Sequence, residues 1–344
     1  MKHRRTFSRR AAGVLFALAL AHTAVAQAQV PHASAKADSP VTHSDTESAA
    51  WPRALLPDTE SFVLETGAQG PRYRVWLYRP TPHGQARAEG EAASAPAQSA
   101  APPLLVLLDG NATFPLAVSA ARLQERLIGP VVIAAIAADN DALFCERQRF
   151  RDFTTPNRDG WGVPRNAHGA PLDTGGAQAF EAVVNEALPR AIQARVEISA
   201  QRRMLFGHSL GGFFVLHDAL AHPGAYSRYM AASPSLWWNA GELLASTRAA
   251  GDAGRNRAPG TRIPLAIRVG GDEQRVAADA TPARIERVTH AAMLDNARAF
   301  ADLLNATPAL GFDADMRVYP GQNHVSYLPA AISEAVVLAS GHAR

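Results

Sequence analysis

The chain has 344 residues, of which 47% are hydrophobic and 19% are charged, a balance typical of a folded globular protein rather than a disordered one. Its formal net charge is +3, but five of its 34 Lys and Arg residues lie in residues 1–26, which contain no acidic residue. The rest of the chain therefore carries 29 basic against 31 acidic side chains. Because the basic excess belongs to the N-terminus, the sequence predicts no nucleic-acid partner.

Residues 1–26 have the three parts of an export signal. A basic stretch (Lys2 to Arg10) precedes an apolar run (Ala11 to Ala21), and small residues follow at a candidate cleavage site, Ala24-Val25-Ala26. The run is shorter than the roughly 20 apolar residues that cross a bilayer. Arg4-Arg5-Thr6-Phe7 resembles a twin-arginine signal, and an ordinary Sec signal is the alternative. We therefore expect a periplasmic or secreted protein without a membrane anchor.

Two further segments stand out by composition. Residues 27–56 are rich in Ala, Ser, Asp, His and Pro without apolar periodicity, which predicts a flexible segment ahead of the fold. Residues 81–103 are a low-complexity run of Ala, Gly, Pro, Glu and Gln, which predicts a surface insertion. A single domain over residues 57–344 accounts for everything after the leader.

Short apolar runs alternate with helical patterns through this domain. A predicted β-hairpin over residues 61–78 comes first. Buried strands are predicted at 104–108, 131–137, 203–206, 229–232, 265–269 and 315–319. Helices are predicted at 117–127, 177–196, about ten residues after 209, 285–304 and 328–340, while residues 139–176 are polar and irregular. Continuous apolar strands alternating with helices predict an α/β fold, with a mostly parallel central sheet and helices on both faces.

The third of these strands runs into Gly207-His208-Ser209-Leu210-Gly211. A serine hydroxyl is a weak nucleophile at neutral pH, so a site must expose it and place a base beside it. The pattern Gly-x-Ser-x-Gly between a strand and a helix is typical of the nucleophile elbow of the α/β-hydrolase fold. The sequence therefore predicts Ser209 as a nucleophile, with a purely structural turn as the alternative.

The partners of such a serine follow it in the order acid, then histidine, each on a loop after a later strand. His324 follows the strand at 315–319 and a turn, and it is the predicted general base. Two adjacent carboxylates, Asp272 and Glu273, follow the strand at 265–269. Only one of them can hydrogen-bond the far ring nitrogen of His324, and spacing leaves both candidates open.

An oxyanion needs two N–H donors that are already in place. The backbone amide of Leu210, the residue after the nucleophile, is the first predicted donor. The second is expected from the loop Asp109-Gly110-Asn111 after the strand at 104–108.

Two side-chain groups are candidates for binding the substrate. Trp237 and Trp238 follow the strand at 229–232, and either form an aromatic wall for an aryl acyl group or pack in the core. Arg147, Arg149 and Arg151 alternate in the polar segment. They either attract an anionic substrate or pair with the nearby Glu146 and Asp152.

The spacing of the His and Cys residues matches no metal-binding motif. The twelve His are scattered, without an HExxH motif or a Cys/His cluster. Cys145 is the single cysteine, so no intrachain disulfide can form. The sequence predicts neither a metal nor another cofactor.

Five segments of the sequence carry a family resemblance: LLVLLDGNATF (104–114), FGHSLGGFF (206–214), ASPSLWWN (232–239), VGGDEQ (269–274) and YPGQNHVSYLPAAI (319–332). Together they resemble the putative-esterase family of α/β-hydrolases, which includes esterase D, the enterochelin and salmochelin siderophore esterases, feruloyl esterases and mycolyltransferases. The resemblance implies Glu273 rather than Asp272 as the acid, and Asn111 as the second oxyanion donor. The overall pattern is most similar to the periplasmic esterases that cleave siderophore trilactones.

The expected function is therefore that of a serine carboxylic-ester hydrolase acting through an acyl-enzyme. The resemblance implies a small-molecule ester as its substrate, such as a ferric catecholate siderophore of the enterobactin type. The alternatives are an acyltransferase or a feruloyl or short-chain esterase on the same fold. A non-catalytic binding protein is a further alternative, which the intact set of serine, acid and histidine disfavours.

Overall fold

The computed structural model describes residues 56–67, 70–80, 101–158, 162, 164–252 and 262–342. The predicted export signal, all of the segment 27–56 except its last residue, and residues 81–100 of the predicted insertion lie outside the described residues. Within the described ranges, no helix combines the length and the apolar character needed to cross a bilayer.

Eight strands of the described chain form one sheet. Their bounds are β1 Thr59–Glu65, β2 Arg72–Tyr78, β3 Leu104–Leu107, β4 Val132–Ala138, β5 Arg203–His208, β6 Arg228–Ala232, β7 Ile263–Gly270 and β8 Phe312–Tyr319. The order across the sheet is β1-β2-β4-β3-β5-β6-β7-β8. In the antiparallel β1–β2 hairpin, β2 pairs antiparallel with β4. The other neighbouring pairs, from β4 through β3, β5, β6 and β7 to β8, are parallel. The predicted hairpin and mostly parallel sheet are confirmed.

Helices cover both faces of this sheet. Their bounds are α1 Gly110–Ile128, α2 Glu146–Phe153, α3 Ala177–Ala182, α4 Leu188–Gln193, α5 Leu210–Ala221, α6 Glu242–Asp252, α7 Pro282–Ala291, α8 Met293–Ala306 and α9 Leu328–Ser340. Buried side chains of α1 and α9 pack on one face, and those of α2 to α6 and α8 pack on the other. Burial on both faces explains why the inner strands are apolar along their whole length.

Three predicted helices differ from those observed. The predicted helix 285–304 is wrong as a single element, because Ala292 adopts a left-handed backbone (φ 40°) that separates α7 from α8. A π-helical segment, Val183–Ala187, interrupts the helix predicted at 177–196. Helix α1 begins at Gly110 instead of residue 117 and contains Pro115 in its second turn.

The parallel strands bring the sequence-predicted site residues to one edge of the sheet. Asp109 follows β3, Ser209 follows β5, Glu273 follows β7 and His324 follows β8. Because β3, β5, β6, β7 and β8 are parallel neighbours, their carboxyl ends meet at the same edge. This edge is where open α/β sheets bind their ligands.

Candidate active site

Ser209 occupies a tight turn between β5 and α5. Its backbone has φ 60° and ψ −116°, a conformation that non-glycine residues rarely adopt and that is common at active sites. The turn is so close that a Cβ on Gly207 would collide with the carbonyl oxygen of Gly211. Glycine at 207 is therefore what allows the strand and the helix to meet with the Ser209 side chain half-exposed at the sheet edge.

Glu273 and His324 form the acid–imidazole pair of the site. Nδ1 of His324 lies 2.7 Å from Oε2 of Glu273, whose side chain is 1% exposed. Because an ionised carboxylate only accepts, Nδ1–H donates this bond, and Nε2 keeps a free lone pair. Asp272 instead lies 3.4 Å from the guanidinium of Arg275. Of the two candidate acids, the structure brings Glu273 to His324.

A polar network holds the other carboxylate oxygen of Glu273. The amide of Gly270 donates to Oε1 across 2.7 Å, and the hydroxyl of Ser233 donates a short hydrogen bond to the same oxygen. The hydroxyl of Tyr327 lies 2.6 Å from Ser233 Oγ and donates to the carbonyl oxygen of Arg268 across 3.1 Å. These contacts fix the direction in which Glu273 faces His324, and no local sequence pattern distinguishes Ser233 or Tyr327 for that task.

His208, inside the serine motif, contacts the main chain of the predicted base, His324. Its Nε2 donates to the carbonyl oxygen of His324 across 2.7 Å, and the two ring centroids are 4.6 Å apart. Burial, with the charges of His324 and Arg149, holds the pKa of His208 well below its ordinary value. The ring is therefore neutral, with its proton on Nε2, and His208 is a positioning residue for His324.

A buried ion pair lies behind this histidine. Nε of Arg149 is 3.0 Å from Oδ1 of Asp109, and the same guanidinium donates to the carbonyl oxygen of His208 across 3.0 Å. It also lies 5.2 Å from the ring centroid of Phe144. Burial raises the pKa of Asp109, and Arg149 opposes that rise. The pair therefore links the loop after β3 to the last residue of β5, directly before Ser209.

These contacts assign the three predicted arginines differently. Arg149 is 15% exposed and pairs with Asp109 rather than Glu146, while Nε of Arg151 lies 2.6 Å from Asp152. The ion-pairing alternative therefore applies to Arg151 with the expected partner Asp152, and to Arg149 with Asp109 in place of the expected Glu146. Arg147 is exposed on α2, and its role toward an anionic substrate stays a prediction.

The two predicted oxyanion donors both lie in the first turn of a helix. Leu210 is the first residue of α5, and Asn111 is the second residue of α1. Amides of a first turn have no acceptor within their own helix, so they are available to a negatively charged oxygen. Because β3 and β5 are neighbours in the sheet, the two helices begin at the same edge.

The side chain of Asn111 fixes its own main chain. Its Oδ1 accepts from the indole N–H of Trp76 across 3.0 Å. Its Nδ2 donates to the carbonyl oxygens of Asn140 (2.7 Å) and Ala142 (2.9 Å). The side chain is thus fully used in anchoring the loop, which leaves the backbone N–H as the group offered to the site.

The prediction that both tryptophans line the substrate site is wrong for Trp238. Trp238 is fully buried, and its indole N–H donates to Oγ1 of Thr155 across 2.9 Å. It therefore packs in the core, as the alternative interpretation has it. Trp237 is half-buried beside it, and its contact with a substrate stays a prediction. Ser235, from the same loop, places its hydroxyl 3.3 Å from that of Ser209.

The fold and the turn around Ser209 define the class of protein. A mostly parallel eight-stranded sheet, with the serine on a strand–turn–helix and a histidine after the last strand, is an α/β-hydrolase. The sequence matches the family model described as "Putative esterase" over residues 93–337, and the chain belongs to that family. The resemblance expected from its motifs is confirmed.

Relatives named for siderophore ester hydrolysis match between 41% and 82% of the chain. It is 29% identical over 287 residues to the ferri-bacillibactin esterase BesA of Bacillus subtilis, covering 82% of this chain and 89% of BesA. It is 35% identical over 150 residues to the siderophore enterobactin esterase of Emericella nidulans, covering 41% of this chain and 49% of that protein. The solved structure of the siderophore hydrolase EstB from Aspergillus nidulans is similar to it in fold, with a TM-score of 0.67, 23% identity, and coverage of 83% of this chain and 96% of EstB.

Proposed function

We propose that the protein is a serine carboxylic-ester hydrolase that forms an acyl-enzyme on Ser209 and opens the ester bonds of a siderophore trilactone. The observation that carries this proposal is the 2.7 Å hydrogen bond between Glu273 and His324, at the sheet edge where Ser209 occupies its strained turn. The relatives named for siderophore ester hydrolysis support the substrate class.

In the first half of the reaction, Oγ of Ser209 attacks the ester carbonyl carbon and loses its proton to Nε2 of His324. Glu273 stabilises the imidazolium that forms, because its buried carboxylate already faces Nδ1–H. The carbonyl oxygen becomes an oxyanion and accepts hydrogen bonds from the amides of Leu210 and Asn111. Collapse of this intermediate breaks the carbon–oxygen bond of the ester, and the leaving alkoxide takes the proton from His324.

In the second half, a water molecule takes the place of the alcohol. His324 accepts its proton while the oxygen attacks the acyl carbon, and the same two amides again hold the oxyanion. The bond to Ser209 then breaks, and the serine recovers its proton from His324. Each turnover therefore consumes one water and yields one acid and one alcohol.

Two side chains are suited to a ferric catecholate, which is anionic and aromatic. Arg147 is exposed on α2, the helix that also carries Arg149, and supplies positive charge. Trp237 offers a half-buried ring two residues after Ser235 on the same loop. Residues 1–26 support export to the periplasm, where such a substrate arrives from outside the cell.

Turnover of ferric and apo enterobactin, alongside p-nitrophenyl esters, tests the proposal. Wild type is compared with Ser209→Ala, and loss of at least about a thousandfold in turnover is expected for every ester. Hydrolysis that persists in the variant would exclude the serine mechanism. Turnover of p-nitrophenyl esters alone would retain that mechanism and exclude the siderophore substrate.

A further inference from the structure

A second group of ionisable side chains lies at the C-terminal end of α5, whose N-terminus follows Ser209. Glu181 of α3, Asp218 of α5 and His222 at the end of α5 each place one possible ligand atom within 4.8 Å of the others. Glu181 is 5% exposed and Asp218 is 0% exposed, whereas the ring of His222 is 48% exposed. Two buried carboxylates therefore face one imidazole that opens to solvent.

Each of these carboxylates has one oxygen in a hydrogen bond and one oxygen without such a bond among the described residues. Oδ2 of Asp218 and Oε1 of Glu181 are buried without a hydrogen-bond partner there. Nδ1 of His217 lies 2.9 Å from Oε1 of Glu181, so that oxygen faces an imidazole, whereas Oδ2 of Asp218 has no hydrogen-bond partner among the described residues. Buried polar atoms left in this state are uncommon in proteins, and they are often the partners of an ion.

A divalent cation between the two carboxylates would compensate their negative charges.

The ligand atoms are held in position before any ion arrives. Nδ2 of Asn185 donates to Oδ1 of Asp218 across 2.6 Å, as an outer partner does for a metal ligand. Asn185 belongs to the π-helical segment Val183–Ala187, a distortion that occurs often at functional sites. The main chain of His222 is held by Ala225, whose N–H donates to the carbonyl oxygen of His222 across 3.0 Å. The ring Nε2 of His222 lies 3.0 Å from Oε2 of Glu181.

From this arrangement we infer a binding site for a first-row divalent cation of the zinc type, with Glu181, Asp218 and His222 as its ligands. An imidazole with two carboxylates suits Zn²⁺, whereas Mg²⁺ and Ca²⁺ bind through oxygen alone. Three protein ligands leave the fourth tetrahedral position to water, which the exposed side of His222 admits.

The site differs from the ester-cleaving centre in place and in role. Asp218 is nine residues after Ser209 on α5, which puts it about 14 Å away along the helix axis at 1.5 Å per residue. The ion joins α3 to the C-terminal end of α5. The first residue of that helix, Leu210, offers its amide to the oxyanion in the proposed reaction. The effect of the ion is on the stability of that helix packing, and the ester chemistry takes place without it.

Titration with ZnCl₂ tests the inference. The purified full chain, without a histidine tag, is dialysed against EDTA and titrated by calorimetry, while thermal unfolding is followed in parallel. His222→Gln and Asp218→Asn remove ligands, and the second keeps an oxygen for Asn185 to bond. His168→Ala, at an exposed histidine elsewhere, and His324→Ala, in the candidate active site, are the matched controls.

We expect one zinc ion to bind per wild-type chain and to raise its unfolding temperature. Each of the two ligand variants weakens binding by at least about tenfold, while the two controls bind as wild type does. Absence of stoichiometric binding to the wild type would overturn the inference. So would equal affinity in wild type, His222→Gln and Asp218→Asn, or loss of binding in His324→Ala.

Discussion

The imidazole of His208 donates a hydrogen bond to the main-chain carbonyl oxygen of His324 across 2.7 Å. The residue that directly precedes the candidate nucleophile therefore holds the main chain of the candidate base. Because the ring of His208 is buried and neutral, this link does not depend on charge. This hydrogen bond joins the turn after β5 to the loop after β8.

Replacement of His208 tests this link through kinetics. We expect His208→Ala to lower kcat by about ten- to a hundredfold with little change in KM, because a displaced base affects the chemical step more than binding. His208→Gln keeps an N–H near the position of Nε2 and should recover most of the rate. Steady-state hydrolysis of a p-nitrophenyl ester measures both, and a change confined to KM would contradict the positioning role.

The same residue makes stability depend on pH. Its folded pKa is below its ordinary value, so below about pH 6.5 the unfolded chain binds this proton more readily than the folded chain does. Folding then requires its release, and stability falls as the pH falls. Relative to His208→Gln, the wild type should lose free energy of unfolding between about pH 7 and pH 5, by up to about 1.4 kcal/mol per pH unit. Urea unfolding at each pH measures the difference, and parallel curves would refute it.

The two neighbouring acids should differ sharply in their effect on rate. Glu273→Gln replaces the carboxylate that accepts from Nδ1–H of His324, and an amide in this place favours the wrong tautomer. We expect kcat to fall by about a thousandfold or more. Asp272→Asn removes only the contact with the exposed Arg275 and should leave kcat within about twofold.

Circular dichroism of both acid variants serves as the control, because Glu273 is also bonded to Gly270 and Ser233. The assignment of Glu273 requires a folded Glu273→Gln protein with a low rate. A larger loss of rate in Asp272→Asn would reverse it.

Arginines two positions apart on α2 should differ in their effect on stability. Arg149→Ala leaves the buried carboxylate of Asp109 without its ion-pair partner, which costs about 3 kcal/mol of unfolding free energy or more. Arg147→Ala removes an exposed side chain and should cost less than about 0.5 kcal/mol. Denaturant unfolding of the two variants measures the difference, and equal stabilities would show that the Asp109 pair contributes nothing.

The sheet could be predicted from the sequence because its inner strands are continuous apolar runs. Elements without such a pattern were missed. Helix α2 has the sequence ERQRFRDF, in which charged residues hide the periodicity, and α6 follows a loop with no helix-start signal. The break between α7 and α8 at Ala292 also has no signal in the sequence. Alanine favours a continuous helix, and only tertiary packing imposes the left-handed backbone of Ala292.

The candidate site was predictable where function requires a local pattern. The turn around Ser209 needs glycines at fixed spacing, and the acid and base follow known strands. The residues that hold this site in place come from distant parts of the chain. Ser233 donates to Glu273 and is itself in contact with Tyr327, while Arg149 pairs with Asp109. Only folding of the sheet brings these residues together. The group of Glu181 and His222 escaped detection for the same reason, because its members belong to different helices.

The position of β8 has a consequence for the life of the molecule. It is the last strand of the chain and lies at the edge of the sheet, next to β7 alone, and His324 follows it. Under the proposed mechanism, a chain that emerges from the ribosome presents Ser209 before its base, His324, has been made. The same mechanism predicts that proteolytic removal of the residues from His324 onward abolishes ester hydrolysis.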